Sequence, residues 1–317
     1  MNAFFLNWFL NEYENPVISR HELFKAVFEL SLQLKIEDNI NTSPKSLYFR
    51  AIEQLASSNK VACHQKTQFG YSYFSKNKTH LSSEELICFL FPYGSIAYGS
   101  ALFELQLTDI ESKSVYFKAP SRAVWKKKAL SDLPKIPEHL KKGFSLQQYL
   151  DYIIPTYPYE DIFIDKEMIV FSEKNMNFDN ILKHRNLRIQ NHFDALLDAL
   201  RKPQYCGGFS QVYEIYNNNI DKFLDGLIQY TSTEGTCIDR ARLGFLLEKM
   251  LFIKHPTFQT WKAEMNDKRG GSRKLISANE FDPHFDGDWN ISLNHSLAKN
   301  PPPRRRKKII LNRITME

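Results

Sequence analysis

Few residues in this chain have the types and spacing that chemistry demands. Glu111-Ser112-Lys113 has the E-x-K spacing of metal-dependent nucleases, where acids hold Mg2+ and a lysine assists. The near acid, Asp109, is too close in sequence to come from a second strand. Asp282, His284, Asp286 and Asp288 alternate as a hard-metal loop would, but calcium loops need a longer ordered series of oxygen ligands. Asp286-Gly287-Asp288 before Trp289 therefore reads as a turn. His64, His184, His192, His255 and His295 are scattered, and no phosphate-binding glycine loop, G-x-S-x-G or H-E-x-x-H occurs. Cys63, Cys88, Cys206 and Cys237 form no C-x-x-C pair, so they read as buried apolar residues in a reducing cytosol. The expectation is no active site, no metal and no cofactor.

Charge is more informative. The 317 residues carry 42 Lys and Arg against 36 Asp and Glu, a net +6. The pI is near 8.9, a mild indication of an anionic partner. Its distribution is uneven. Residues 1–40 hold three basic residues and six acids, whereas residues 41–80 hold six basic residues and one acid, Glu53. A second basic run, from Glu111 to Lys142, sets nine basic residues against three acids and includes Lys113, Lys118, Arg122, Lys126, Lys127 and Lys128. A third, Arg304-Arg305-Arg306-Lys307-Lys308, follows Pro301-Pro302-Pro303, which stiffen the approach to it. Each run could grip phosphates or be a solvated face.

The elements that must position these charges can be placed. Residues 3–14 read as an amphipathic helix rather than a signal peptide, because no basic residue precedes Arg20. Ser19 and Glu22 form a capping box for a helix running to Lys35. Ser43 and Pro44 start a third helix that ends near Ser58. At about 100° per residue its inner face is Leu47, Tyr48, Ala51, Ile52 and Leu55. Ser46, Phe49, Arg50, Glu53 and Ser57 fall outside, with Gln54 on the border. Val61 to Gln65, a turn at 66–70, and Tyr71 to Ser75 complete a hairpin. Helix, helix, helix, hairpin is the winged-helix order, and it places Lys45, Ser46, Arg50, Gln54, Lys60, Gln65, Lys66 and Gln68 toward DNA. The alternative is a small basic helical cap with no nucleic-acid role.

The remainder reads as mixed α/β structure with 43% hydrophobic residues overall, enough for a sizeable core. The uncharged stretch Leu86–Phe103 is interrupted by Pro92, Gly94 and Gly99, which argues against a membrane span. Ile87–Phe91 is expected to be a short buried segment and Ser95–Leu105 a helix with a small-residue side. Ser114–Lys118, Ile162–Ile164 and Met168–Phe171 are expected to be strands, and Asn177–Leu200 a helical stretch. Gly207-Gly208 turns into helices at Ser210–Asn217, Ile220–Tyr230 and Ile238–Leu251.

Four segments then stand out in order. They are Ser100-Ala101-Leu102 with Leu107-Thr108-Asp109, Pro203 with Gly207-Gly208, Arg242-Leu243-Gly244 with Glu248, and Trp289 with Asn294. Spread over about two hundred residues, they resemble the AbiEi family of type IV toxin–antitoxin and abortive-infection (phage-defence) operons. Leu105-Gln106-Leu107 departs from the His-Gly-Leu-like run common there, and Ala129–Glu160 is longer than usual. None of the matching residues is a catalytic motif. The resemblance implies an α+β protein: a winged helix-turn-helix over residues 1–80, a mixed α/β antitoxin domain over 81–297, and a basic tail over 298–317. It further implies a cytoplasmic, non-enzymatic transcriptional repressor that binds inverted repeats in its own promoter. Such a repressor counters a nucleotidyltransferase-like toxin without a stable complex, through a positive face on the second domain. The alternatives are a metal-dependent nucleic-acid-processing enzyme targeted by the winged helix, and a toxin-independent regulator.

Overall fold

The computed structural model describes residues 3–38, 43–65, 72–77, 80–133, 146–267 and 273–303. The architecture is mixed α/β with more than one sheet. The chain divides into two compact units. The first comprises Met1–Ile96, Phe117–Phe178 and Lys183–Arg188, and the second Ala97–Tyr116, Asp179–Leu182 and Ile189–Glu317.

The first unit begins with helix α1 (Phe4–Asn11), strand β1 (Val17–Ser19), helices α2 (Arg20–Asp38) and α3 (Pro44–Ala56), and strands β2 (Val61–Gln65) and β3 (Ser72–Lys76). The strands form a sheet in the order β1-β3-β2, with Ile18 opposite Phe74 and Cys63 opposite Phe74. Strand β1 was not foreseen: three residues after Pro16 are too few to show a period. Ser19 closes β1 and also caps α2. Glu22 N donates to Ser19 Oγ at 3.4 Å, and Ser19 N to Glu22 Oε2 at 3.4 Å. That is the reciprocal box expected from the sequence.

Helix α3 starts as its residues dictate. Ser43 Oγ accepts from Ser46 N at 3.2 Å, and Pro44 takes the first turn, where its missing N–H costs nothing. Leu47, Tyr48, Ala51 and Leu55 are buried, and Ile52 packs at the margin. They join Phe5, Phe9, Leu23, Phe24 and Phe28 in one core. Each fully buried large side chain contributes about 1.5–3 kcal/mol. Helix α7 (Leu146–Ile153) completes that core from far along the chain. Tyr152 stacks on Phe24 with centroids 5.2 Å apart and meets Tyr48 edge-on at 5.6 Å, while Ile153 is 4% exposed.

The same unit holds α4 (Ser83–Leu90), β4 (Ser95–Ile96), part of β5 (Ser114–Pro120), α6 (Arg122–Ser131), β6 (Asp161–Phe163) and β7 (Lys166–Glu173). Ile87–Phe91 is thus the end of a helix that starts at a capping box, Ser82 and Glu85. Arg188 satisfies carbonyls at the far end of this helix and just beyond it: its Nη2 donates to Cys88 O at 2.7 Å and to Phe91 O, and its Nε to Gly94 O at 2.9 Å. Strands β6 and β7 form an antiparallel hairpin, and Ser95 of β4 pairs with Lys118 of β5.

The stretch expected to be helical from Asn177 to Leu200 contains a hairpin, β8 (Ile181–His184) and β9 (Leu187–Gln190), before α8 (His192–Arg201). Arg185 turns the hairpin with φ 52°, and Asn191 N closes it on Asn180 O at 3.0 Å. Asn191 then caps α8, accepting from Asp194 N at 2.8 Å. The strand order of the larger sheet is β6-β7-β5-β4-β9-β8.

The second unit also contains α5 (Tyr98–Glu104), α9 (Phe209–Glu234), α10 (Cys237–Phe245), α11 (Thr257–Asp267), β10 (Phe285–Asp286), β11 (Ile291–Ser292) and α12 (Ser296–Lys299). Ser95–Leu105, expected as one helix, starts as strand β4. The two helices expected within 210–230 are one, α9. Asn219 lies where a break was expected, but its Nδ2 donates within the helix to Ile215 O at 2.8 Å and to Leu107 O at 2.9 Å.

The residues that carry the resemblance hold this unit together. Ser100 Oγ donates to Ser114 O at 3.0 Å and accepts from Tyr116 N at 3.1 Å. Gly207 and Gly208 have φ 81° and 88°, which glycine adopts without the strain a side chain would add, and lead into α9. Gly244 faces the Trp289 ring so closely that a Cβ would lie 2.1 Å from it. Trp289 Nε1 donates to Glu248 Oε2 at 2.8 Å, in the π-helical turn Leu246–Met250 that follows α10. Asn294 takes its amide to the backbone on both sides, accepting from Ile276 N at 3.0 Å and donating to Ile276 O at 2.9 Å.

Candidate nucleic-acid interface

With its inner side sunk in the aromatic core, α3 turns Lys45, Ser46, Phe49, Arg50 and Glu53 to solvent. The inner stripe fixes the helix's rotation, so these side chains are pre-aimed. Ser46 Oγ is 2.9 Å from Ser43 Oγ, so its hydroxyl belongs partly to the cap. Gln54 differs from its expected role. Its Oε1 accepts from Phe5 N at 2.9 Å, filling an orphan donor at the start of α1, whose Ala3 cap offers no side-chain acceptor. Its angle on the helix wheel could not reveal that partner.

Lys60 is exposed just before β2. The backbone of Gln65 pairs with Ser72 as the hairpin requires. Lys66 and Gln68 lie outside the described residues, as does the tail Arg304–Lys308. Lys76 has the charge but not the freedom: its Nζ donates to Tyr13 O at 2.7 Å and sits 5.5 Å from the Phe9 ring centre, and burial lowers its pKa. His64 stacks on Tyr73 with centroids 4.4 Å apart. Burial holds His64 below its ordinary pKa and lifts Tyr73 to about 12, so both are neutral at pH 7.

Among its described residues, the cations of the second basic run have different surroundings. Lys118 is 9% exposed and pairs with Glu173 at 3.2 Å. Lys128 Nζ lies 5.0 Å from the Phe178 ring centre and 5.6 Å from that of Tyr93. Arg122 is exposed but lays its guanidinium over Tyr157 at 4.8 Å. Lys126 and Lys127 are exposed. At about 100° per residue, Arg122, Lys126 and Lys127 share one arc of α6. Lys113 is exposed in the other unit.

The candidate metal sets resolve into separate contacts. Asp109, Glu111 and Lys113 are all exposed on the one connection before β5. Asp282 pairs with Lys299 at 2.6 Å and with His284 at 2.8 Å, and these hydrogen bonds hold its carboxyl well below the usual range. Asp286 Oδ1 accepts from Trp289 N at 2.9 Å, and Asp288 pairs with Lys249 at 2.6 Å. Among the described residues no three His, Cys, Asp or Glu gather as metal ligands would. A polar cleft of about 550 Å3 lies between residues 106–110 and one side of α9. Gln211 and Asn219 brace it by donating to Thr108 Oγ1 at 3.1 Å and Leu107 O at 2.9 Å. Gln106 lines it with φ 57°.

No helix among the described residues is long and apolar enough to cross a membrane. No protein-family profile and no curated protein matches this chain. Among solved structures, the chain is similar to the RV2827C protein of Mycobacterium tuberculosis, at 11% identity and TM-score 0.46, over 91% of this chain and 89% of that one.

Proposed function

We propose that this protein is a DNA-binding antitoxin of the AbiEi type, which represses its own operon and counters a nucleotidyltransferase-like toxin. Residues 1–80 act as a winged helix whose α3 enters the major groove, and the α/β remainder carries the antitoxic function in the cytoplasm. The reading assigns no catalysis and no cofactor. The observation that carries it is α3 itself: capped, rotationally fixed by its buried stripe, and bearing Lys45, Ser46 and Arg50 outward beside an antiparallel hairpin. The order helix, strand, helix, helix, strand, strand supports it.

The test is a titration of the full-length protein onto a duplex of its own promoter and onto a scrambled duplex at several salt concentrations. Promoter binding about a thousandfold tighter than scrambled binding, weakening linearly in log K against log salt, is expected. Equal affinity for the two duplexes removes the repressor. For the antitoxic half, Arg122, Lys126 and Lys127 are changed together to Glu, which alters the charge of α6 by about six units. In cells that also express the neighbouring gene, loss of growth rescue at normal protein level is expected, and full rescue leaves α6 an ordinary solvated face.

A further inference from the structure

On α3, Ser46, Phe49, Arg50 and Glu53 follow the i, i+3, i+4, i+7 spacing and form one exposed stripe. Two of them do not suit a surface that only grips phosphates. Phe49 is 48% exposed, although four other large side chains of the same helix or its border are sunk in or against the core. Glu53 is the sole acid in a segment with six basic residues, and it is exposed. Against a phosphate backbone a ring gains nothing and a carboxylate is repelled. Against base edges both have partners: an apolar side chain meets the C5-methyl of thymine, and a carboxylate accepts from the N4 amine of cytosine. The stripe is about 10 Å long at about 1.5 Å per residue, which matches three base-pair steps of about 3.4 Å.

We infer that Phe49 is a specificity-determining residue, reading a thymine methyl in the DNA site through an apolar contact beside Arg50. The inference rests on the DNA-binding reading above and adds a base to it. The ring need not move to do so. Its neighbour Tyr48, with ring centres 5.6 Å apart, is anchored 1% exposed in the core, so the contact is pre-organised.

The experiment first selects duplexes from a random pool with the full-length protein. Each thymine of the selected site is then replaced singly by deoxyuridine, which removes one methyl and leaves every hydrogen-bonding group. A buried methyl is worth about 0.8 kcal/mol, so one position is expected to lose about fourfold in affinity. With Phe49→Ala that sensitivity disappears, and thymine and uracil duplexes bind alike. With Phe49→Leu, which keeps an apolar tip, it persists. Thermal melting of both variants should match that of the parent, since the ring is half exposed. If a site is selected but no thymine responds, or Phe49→Ala keeps the response, the inference falls while DNA binding stands. If no duplex is enriched, both fall. If Phe49→Ala converts a dimer to a monomer without touching uracil sensitivity, the stripe is a contact between copies and the inference is overturned.

Discussion

Helices α3 and α6 are both short, both basic in sequence, and both capped by a serine. Their charges have different fates. On α3 the apolar residues cluster on one stripe, that stripe is buried, and Lys45 and Arg50 are left outside. On α6 the stripe is narrow: Trp125 and Ala129 are buried, and Lys128 lies against aromatic rings. Lys118, just before it, goes to Glu173 and Arg122 to Tyr157. A run of lysines is therefore not yet a positive surface. On and just before α6, the Glu173 carboxylate and the rings of Tyr157, Tyr93 and Phe178 take up Lys118, Arg122 and Lys128.

The largest effect is expected where the α3 arrangement is held from behind. Tyr152→Ala removes a ring packed on both Phe24 and Tyr48, and should cost about 2–4 kcal/mol in a chemical-denaturation experiment. Unchanged stability would mean that α7 does not set the pose of α3. Next is Arg50→Ala, expected to weaken promoter binding by about 1–3 kcal/mol. Arg122→Ala on α6 should leave promoter affinity unchanged, and an equal loss for the two arginines erases the contrast between the helices.

A smaller effect separates the two kinds of lysine within α6. Lys128→Ala should lower stability by about 0.5–1 kcal/mol through its lost ring contacts, whereas Lys127→Ala should change it by less than about 0.5 kcal/mol. Identical denaturation midpoints would show that Lys128 is as solvated as its neighbour. For Lys60→Ala the expected change is in slope: log K against log salt should flatten by roughly one unit, equally for all sequences.

His21 gives a pH test of the α3 side. Its pKa is lowered to about 3, first by burial and then by Lys25, and its Nδ1 lies 2.8 Å from Ser19 Oγ. A folded pKa below the unfolded value near 6.5 means that the unfolded chain binds the extra proton, so stability falls as pH drops from about 6.5 toward 3. His21→Gln should flatten that stretch of the melting-temperature profile, and an unaltered profile would place the titration elsewhere.

Much of α3 was legible because its information is local. Ser43, Pro44 and the stripe at 47, 48, 51 and 55 lie within one helix, and cap and period agree on its limits. The Ser19–Glu22 box and β2 were legible for the same reason. What could not be read depends on distant partners. Gln54 looks like a base reader until Phe5 N is seen against it, and Lys118 looks like a surface cation until Glu173 is. The β8–β9 hairpin was hidden by Arg185, which adopts a left-handed turn with no glycine or Asn-Gly pair to announce it. Helix α7 was hidden because Leu146–Ile153 is only eight residues long and the rings it covers lie far upstream.

That last connection bears on how the chain is born. The core around α3 includes Ile153 and Tyr152, and the Tyr152 ring packs on both Phe24 and Tyr48. A ribosome adding about 5–20 residues per second needs roughly 4–15 seconds to pass from Lys76 to Ile154. During that interval the N-terminal helices have emerged without Tyr152, and the faces of Phe24 and Tyr48 that it covers lack that ring. The order of synthesis thus leaves this core without α7 until Tyr152 and Ile153 have been made, and a chaperone that shields aromatic surface has its natural moment then.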